Sequence, residues 1–335
     1  MTPDDSWPAG YAPDDDLLHI AGPEPNYNES MYFHFADPSS GLGGFFRLAS
    51  RPNEQNGERT VCLFFPGGEV VFAFAREQPE VGECFRGAGL EFRVCDPFSS
   101  HEVRFDGEVV VLSDPAAMLE PRSAFAHGRR TPLRVFLQFR AAGPPHFGSP
   151  AGDDFAAHHY EQQVEATGAV VVGDDEFIVR GGGIRDHSWG PRSWQSPWFY
   201  RWLHGSGPDM GFMIGYLGSR EGKTRIDGFV RYGDLLEQVT GVELHTGSDA
   251  DEFPDRIGLT ISTAAGDLTV SGDVLAAIPL RNRRIVEGSE SVTRIAECAV
   301  RWRLDDSAGT VLLGLAEYLD QLVGGVPAGE LGNSA

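Results

Sequence analysis

The sequence predicts an all-β protein that forms a sandwich or barrel from two units in tandem. Apolar and polar residues alternate with a period of two in many short runs, as at residues 90–95 and 133–139. The 42 glycines and 22 prolines interrupt these runs at strand-sized intervals, which is typical of turns between short strands. Helical periodicity is confined to Pro115–Leu119 and to a short piece near residues 319–323.

The first half follows a polar lead-in of about 28 residues. Alternating runs predict strands at 31–35, 44–49, 60–65, 70–74, 90–95 and 133–139. Pro66-Gly67-Gly68 predicts a hairpin turn between two of these strands. Asp106-Gly107 predicts a second hairpin, between short strands at 103–105 and 109–112.

Residues 141–155 are rich in glycine and proline and break the alternation, so we interpret them as a linker. They divide the chain into an N-terminal unit at 28–145 and a C-terminal unit at 156–325. A faint repeat favours two related units: Gly44-Phe45-Phe46 resembles Gly211-Phe212-Met213, and two later correspondences keep the same order.

Composition excludes several classes of function. Hydrophobic residues make up 41% of the chain, which is enough for a sizeable core. The net charge of -22 argues against binding to nucleic acid or to an anionic membrane surface. No apolar run approaches the length of a membrane span, and the acidic start does not resemble a secretory signal. We therefore expect a cytoplasmic protein without stable membrane insertion.

Reactive side chains are densest in the thirteen residues that begin at Gly182. This run contains Arg185, Asp186, His187, Trp189 and Trp194. If it is a strand, Arg185, His187 and Trp189 share one face, and Asp186 lies on the other.

Two interpretations of this face stay open. In one, the face is a buried polar network, in which Arg185 pairs with a carboxylate and His187 bonds to the backbone. In the other, His187 faces a pocket and Trp189 forms its floor. Further aromatic residues nearby, Trp194 and Trp198 among them, would wall a pocket for an apolar ligand and stabilise a developing cation.

Other kinds of site fail on specific residues. The glycines at 181–183 lack the Lys-Ser/Thr step of a phosphate loop, and no Gly-x-Ser-x-Gly elbow occurs. His158 and His159 are adjacent, so in a strand they point to opposite faces and cannot chelate a metal together. We expect neither a metal nor a cofactor, and the lack of basic patches argues again against nucleic acid.

The motif Gly183-x-Arg-Asp-His-Ser-Trp-Gly190, preceded by Tyr160-Glu161-Gln162, resembles the carotenoid hydratase (hydroxyneurosporene synthase) superfamily. That superfamily also includes lipocalin-like Diels–Alderases. The residues around Asn28-Glu29-Ser30 are similar to a bacterial branch of it. The resemblance implies two lipocalin-like β units, and it places the hydratases' His-x-Trp pair at His187 and Trp189. Their downstream Tyr-x-Asp pair has no clean match, because Tyr216 stands alone and Asp227 lacks the partner.

The leading hypothesis is a cofactor-independent acid–base enzyme, a hydratase, dehydratase, cyclase or isomerase, that acts on an isoprenoid-like or polyketide-like molecule. Its predicted catalytic residues are His187, Asp186 and Glu317, with Asp186 or Glu317 as a buried acid of raised pKa. The residues predicted to contact the substrate are Arg185, Trp189, Trp194, Trp198, Tyr216, Tyr160 and Glu161. The alternatives are a lipocalin-like binding protein without catalysis and a pericyclase. The sequence leaves the substrate and the oligomeric state open.

Overall fold

The architecture is all-β, as predicted, with 69% of the residues in strands and 7% in helices. The structure, a computed structural model, describes residues 11–148, 158–192, 197–249, 253–286 and 289–330. Its helical segments are short and lie at Pro13–Asp16, Pro52–Glu54, Pro115–Leu119, Ala328–Glu330 and, as the α-helix α1, Pro121–His127.

The first sheet is antiparallel. Within the described residues it contains β1 (Tyr27–Ala36), β2 (Gly43–Arg51), β3 (Asn56–Phe64), β4 (Val70–Ala75), β5 (Glu80–Val81), β6 (Phe85–Gly87), β7 (Leu90–Asp96), β8 (Ser100–Leu112), β9 (Arg129–Ala141), β10 (His146–Phe147), β11 (His158–Val172) and β12 (Asp175–Pro191). Eight of these strands pair in a closed circuit, in the order β1, β2, β3, β4, β8, β9, β11 and β12, with β12 pairing back to β1. We call this circuit the first ring.

The second sheet is also antiparallel. In the part of the chain that the structure describes, it contains β13 (Phe199–Ser206), β14 (Met210–Gly218), β15 (Thr224–Tyr232), β16 (Leu235–Ser248), β17 (Pro254–Thr263), β18 (Gly266–Val286), β19 (Ser289–Leu304), β20 (Val311–Val323) and β21 (Val326–Pro327). Because β13 pairs with both β14 and β20, strands β13 to β20 form a second ring. The prediction of two tandem β units is therefore confirmed.

The motif strand belongs to the first ring, which corrects its predicted place in the second unit. β12 pairs with β1 through ten residue pairs, from Tyr27 opposite Pro191 to Ala36 opposite Gly182. Its other edge pairs with β11, which in turn pairs with β9. The change from one sheet to the other thus falls between β12 and β13 rather than at residues 145–156. The reason is that β12 pairs with β1 and β11 pairs with β9, and these two pairings close the first ring. Whether either predicted domain folds alone stays a prediction.

Two local predictions were wrong for the same physical reason. Asp106-Gly107 does not turn the chain but lies inside the continuous strand β8, where β8 stops pairing with β7 and begins to pair with β4. Residues 319–323 form the end of β20 rather than a helix, because β13 and β19 pair with β20 on both sides. In both cases neighbouring strands outweigh the local preference of the sequence.

Each ring encloses its own hydrophobic core, and a third cluster joins them. Phe33 and Phe139 belong to the core of the first ring, and Trp302 to the core of the second. The third cluster combines Tyr32 of β1 with Leu315 of β20, among others. Burial of apolar surface, at about 25 cal/mol per Å², therefore also holds the two rings together.

Polar contacts between the two rings also hold them together. The Gln163 side-chain amide on β11 donates to the Gly205 carbonyl at 2.9 Å, and its oxygen accepts from Arg231 Nε at 2.7 Å. His34 of β1 meets His204 of β13, with ring centroids 4.6 Å apart and both side chains buried. Burial lowers the pKa of His34 to about 3 and that of His204 well below its ordinary value.

None of the helices among the described residues is long and apolar enough to cross a membrane.

The close approach of β12 to β1 at Gly183 gives a test of the first ring. A Cβ at Gly183 would lie 1.8 Å from the His34 carbonyl oxygen, which belongs to the backbone and cannot swing aside. We expect Gly183→Ala to destabilise the protein by at least about 1–3 kcal/mol in urea unfolding, as overpacking does. Gly67→Ala is the matched control, since nothing lies within 4 Å of that position. Equal effects of the two changes would contradict this packing.

The buried histidine pair predicts a loss of stability in acid. Below pH 6.5 the His34 and His204 imidazoles bind protons in the unfolded chain but stay neutral in the folded protein, so stability falls as the pH falls. Each histidine side chain contributes up to about 1.4 kcal/mol per pH unit to the dependence of the unfolding free energy on pH. In thermal unfolding between pH 7.5 and 4.5, His204→Gln should flatten the dependence, whereas His127→Gln, on the exposed surface, should not. An unchanged slope for His204→Gln would refute the assignment.

Candidate active site between the two rings

The alternation predicted for the motif strand is present in β12. Arg185 and His187 contact Asp16, Tyr160 and Glu29 inside the first ring. Asp186 points the other way, into a cavity between the two rings. Because β12 pairs on both edges, its side chains are confined to these two faces. The two faces therefore require separate description.

The inward face at Arg185 is a buried ionic network, as one of the two interpretations predicted. Arg185 Nη1 lies 2.7 Å from Asp16 Oδ1 and donates to the Tyr160 hydroxyl at 2.9 Å, while Nε donates to Gln162 Oε1 at 2.9 Å. His101 Nε2 lies 2.8 Å from Asp16 Oδ2. Although burial opposes ionisation of Asp16, Arg185 and His101 hold its pKa well below the ordinary range. The buried charges are thus compensated.

His187 and Trp189 are also packed inside this network. His187 Nε2 lies 2.7 Å from Glu29 Oε1, and the His187 side chain is fully buried. Trp189 is stacked between His19, at 4.1 Å between ring centroids, and His158, at 5.1 Å. The lead-in segment thus covers the surface that the sequence assigned to a ligand. Neither His187 nor Trp189 lines the cavity between the rings.

The cavity has a volume of about 360 Å³, within the range of small-molecule sites. Its walls are formed by side chains of both rings and of the segment around α1. Much of its lining is apolar and aromatic, with contributions from Tyr32, Phe45, Phe72, Met118, Phe125 and Trp202. Such a surface suits an apolar ligand.

A histidine–carboxylate pair lies on the first-ring side of this cavity. His159 Nε2 is 2.9 Å from Asp186 Oδ2 and 3.5 Å from Glu161 Oε1. Burial disfavours the imidazolium, but Glu161 and Asp186 outweigh it and raise the pKa of His159 to about 9. For Asp186 burial also opposes ionisation, yet the hydrogen bond from His159 lowers its pKa. At neutral pH the pair is an imidazolium beside a carboxylate.

Two glutamates with raised pKa values occupy the second-ring side. Glu317 on β20 and Glu297 on β19 lie opposite each other in register, and both line the cavity. Burial raises the pKa of Glu317 to about 7, against the lowering effect of Arg47, and raises that of Glu297 to about 8. Tyr200 donates its hydroxyl to Glu317. The cavity therefore holds carboxylic acids that keep a proton near neutral pH.

A second histidine–carboxylate pair lies at the same cavity. His146 Nε2 is 3.0 Å from Asp227 Oδ1. Burial opposes ionisation of Asp227, but the His146 hydrogen bond lowers its pKa to about 2. Of this pair Asp227 lines the cavity, and it contacts a histidine 81 residues away rather than the tyrosine of a Tyr-x-Asp pair.

The structure gathers only part of the predicted site. Asp186, Glu161 and Glu317 line the cavity together. Tyr216 instead packs against the core of the second ring, and Trp198 lies under the Arg220 guanidinium. The other predicted residues are Arg185, His187, Trp189 and Tyr160, which lie inside the first ring, and Trp194, which lies outside the described residues.

Sequence reasoning missed His159, His146 and Glu297, and it placed Tyr200 only among the aromatic residues near the motif. His159 was set aside because its neighbour His158 points to the opposite face, yet that same alternation turns His159 towards Asp186 on the next strand. Glu297 carried a weak signal, as a carboxylate within the otherwise apolar run at residues 295–300 of β19.

Several solved structures share this fold. A protein described as an AttH from Nitrosomonas europaea is 13% identical, with a TM-score of 0.62, over 91% of this chain and 98% of that chain. CghA is 13% identical, with a TM-score of 0.59, over 92% and 95%. Kievitone hydratase from Nectria haematococca is 9% identical, with a TM-score of 0.59, over 92% and 91%. These likenesses concern the fold alone.

At the level of sequence, no curated protein matches this chain. A family model described as a domain of unknown function (DUF7064) does match it, over residues 12–321. That match spans most of the chain, and the protein therefore belongs to the DUF7064 family.

Proposed function

We propose that this protein is an acid–base enzyme that adds water to, removes water from, or isomerises an apolar isoprenoid-like or polyketide-like molecule between the two rings. The observation that carries the proposal is that Glu317, whose pKa burial raises to about 7, and Asp186, whose pKa the His159 hydrogen bond lowers, line the same cavity from the two rings. An acid and a base whose pKa values are pushed apart by their surroundings are the requirement for such chemistry. The chemistry needs no cofactor.

For hydration, the proposed steps are as follows. Glu317 donates its proton to one carbon of an alkene, and the other carbon becomes cationic. Aromatic rings of the lining, such as Trp202 and Tyr32, stabilise that cation. A water adds to it and gives its surplus proton to Asp186, which His159 holds in place. The net change is the addition of one water, and a proton passed back to Glu317 restores the site.

His187 was a predicted catalytic residue in the hypothesis drawn from the sequence, and its environment now argues against contact with a substrate in the cavity. Its imidazole lies on the opposite face of β12 from the cavity and bonds to Glu29. Asp186 is the residue of the motif whose side chain lines the cavity. The likeness to kievitone hydratase in fold is compatible with a hydratase but does not choose the reaction.

A binding protein without catalysis is the main alternative from another class. The charged groups of the cavity favour the enzyme, because carrying an apolar ligand does not require buried acids, whose desolvation costs free energy. Native mass spectrometry of the purified protein would identify a retained ligand. Conversion of that ligand, or of a panel of acyclic isoprenoid alkenes and polyene polyketides, then separates an enzyme from a carrier.

Removal of the proposed acid should abolish turnover without abolishing binding. We expect Glu317→Gln to lower kcat by about 100-fold or more, as loss of a general acid does, while the ligand still binds. The measurement is product formation by mass spectrometry in deuterated water, with binding followed by native mass spectrometry. Glu243→Gln, on the exposed surface of β16, is the matched control. Full activity of Glu317→Gln would exclude the acid role.

The raised pKa of Glu317 predicts an alkaline limb in the pH–rate profile. Its proton is present below about pH 7 and lost above it, so kcat should fall as the pH rises through that value. The limb should persist in Glu297→Gln, whose removal leaves the acid in place. A flat profile for wild type would favour the pericyclase hypothesis, since a pericyclic reaction needs no titrating acid.

A further inference from the structure

We infer that His19, Glu29 and His187 form a binding site for a divalent transition metal, with Zn²⁺ the best match. The site lies where the lead-in segment covers the inner face of β12 in the first ring. This site lies on the opposite face of β12 from the cavity and is independent of the function proposed above. Its three ligands come from the lead-in segment, from β1 and from β12. The metal would tie that segment to the ring.

The donor atoms are already close to a metal geometry. His187 Nε2 lies 2.7 Å and His19 Nδ1 lies 3.1 Å from Glu29 Oε1, and the three atoms all lie within 4.8 Å of one another. With zinc–ligand bonds of about 2.0–2.2 Å, neighbouring ligands of a tetrahedral site lie roughly 3.3 Å apart. Shifts of less than about 1 Å therefore suffice. Two histidines and one carboxylate are also a ligand set that zinc uses when it keeps a position open.

Each ligand side chain also has a polar partner on the atom that does not face the metal. His187 Nδ1 lies 3.3 Å from the Tyr160 hydroxyl, and His19 Nε2 lies 3.4 Å from Asp15 Oδ1. The second oxygen of Glu29 accepts from the Tyr27 hydroxyl at 3.2 Å. Such outer partners fix the orientation of metal ligands and increase the basicity of the histidines.

The hydrogen bonds of Tyr160 restrict what His187 can present to Glu29. Tyr160 has one hydroxyl proton, and it donates that proton to Asp16 while it accepts from Arg185. His187 Nδ1 must then donate to the Tyr160 oxygen. Its Nε2 can then meet Glu29 Oε1 in two ways, across one shared proton or with both atoms bound to one cation. The metal is the second solution.

An ion can reach the site. The His19 side chain is 19% exposed, whereas those of Glu29 and His187 are buried. Trp189 is stacked on His19 with an interplanar angle of 13°, which holds the imidazole in position. The site is therefore closed on the side of the ring and open at His19.

The test is a titration of the metal-stripped full-length protein with Zn²⁺ in a calorimeter and with Co²⁺ in a visible spectrometer. We expect one ion per chain, the visible bands of four-coordinate Co²⁺, and a higher unfolding temperature with Zn²⁺. His19→Ala should weaken binding by at least about 100-fold, because it removes a ligand. This variant should still fold, since His19 lies in the lead-in segment outside the strands of the ring, and its unfolding temperature without metal checks this.

Two controls separate the site from other histidines. His158→Gln removes the other ring stacked on Trp189 but no ligand, and it should leave the affinity unchanged. His127→Gln removes an exposed histidine of α1 and should also have no effect. Binding that survives His19→Ala, or a wild type that binds neither ion at 100-fold excess over protein, would overturn the inference. The second result would assign the group as an imidazolium–carboxylate network.

Discussion

The period-two alternation of β12 is the constraint on which the rest of the structure depends. Because β12 pairs with β1 on one edge and β11 on the other, its backbone is fixed and its side chains have only two directions. Arg185 and His187 enter the first ring, and Asp186 enters the cavity between the rings. A slip of one residue would exchange the two faces and put the Arg185 guanidinium into the cavity between the rings.

Electrostatics then give the two faces different chemistry. Inside the first ring, the Arg185 guanidinium meets the Asp16 carboxylate at 2.7 Å, and the charges compensate each other. In the cavity, Glu297 and Glu317 are surrounded by protein with too little positive charge to favour their ionised forms, so burial raises their pKa values. The compensated charges and the carboxylic acids of raised pKa thus lie on opposite sides of β12, the former inside the first ring and the latter across the cavity.

Much of the fold could be predicted from alternation and turn residues, because a half-buried strand reveals its faces in its own sequence. Strands β1, β2, β3, β4, β7 and β9 and the Pro66-Gly67-Gly68 turn were found this way. The turn predicted at Asp106-Gly107 was wrong because β8 runs straight through these residues, pairing with β7 before them and with β4 after them. Less of the site could be predicted: Glu317 and Asp186 were found, but His159, His146 and Glu297 were not, since their partners lie on other strands.

The sequence by itself determined the all-β class, the pairing of residues by face within each strand, and the concentration of reactive groups around Asp186. Only the tertiary structure decided that β12 closes the first ring, that Asp16 pairs with Arg185 and Glu29 with His187, and that Glu317 faces Asp186 across a cavity. The physical reason is that alternation is a local property of the chain. The order of strands, and with it every contact between distant residues, is set by the closure and packing of the whole sheet.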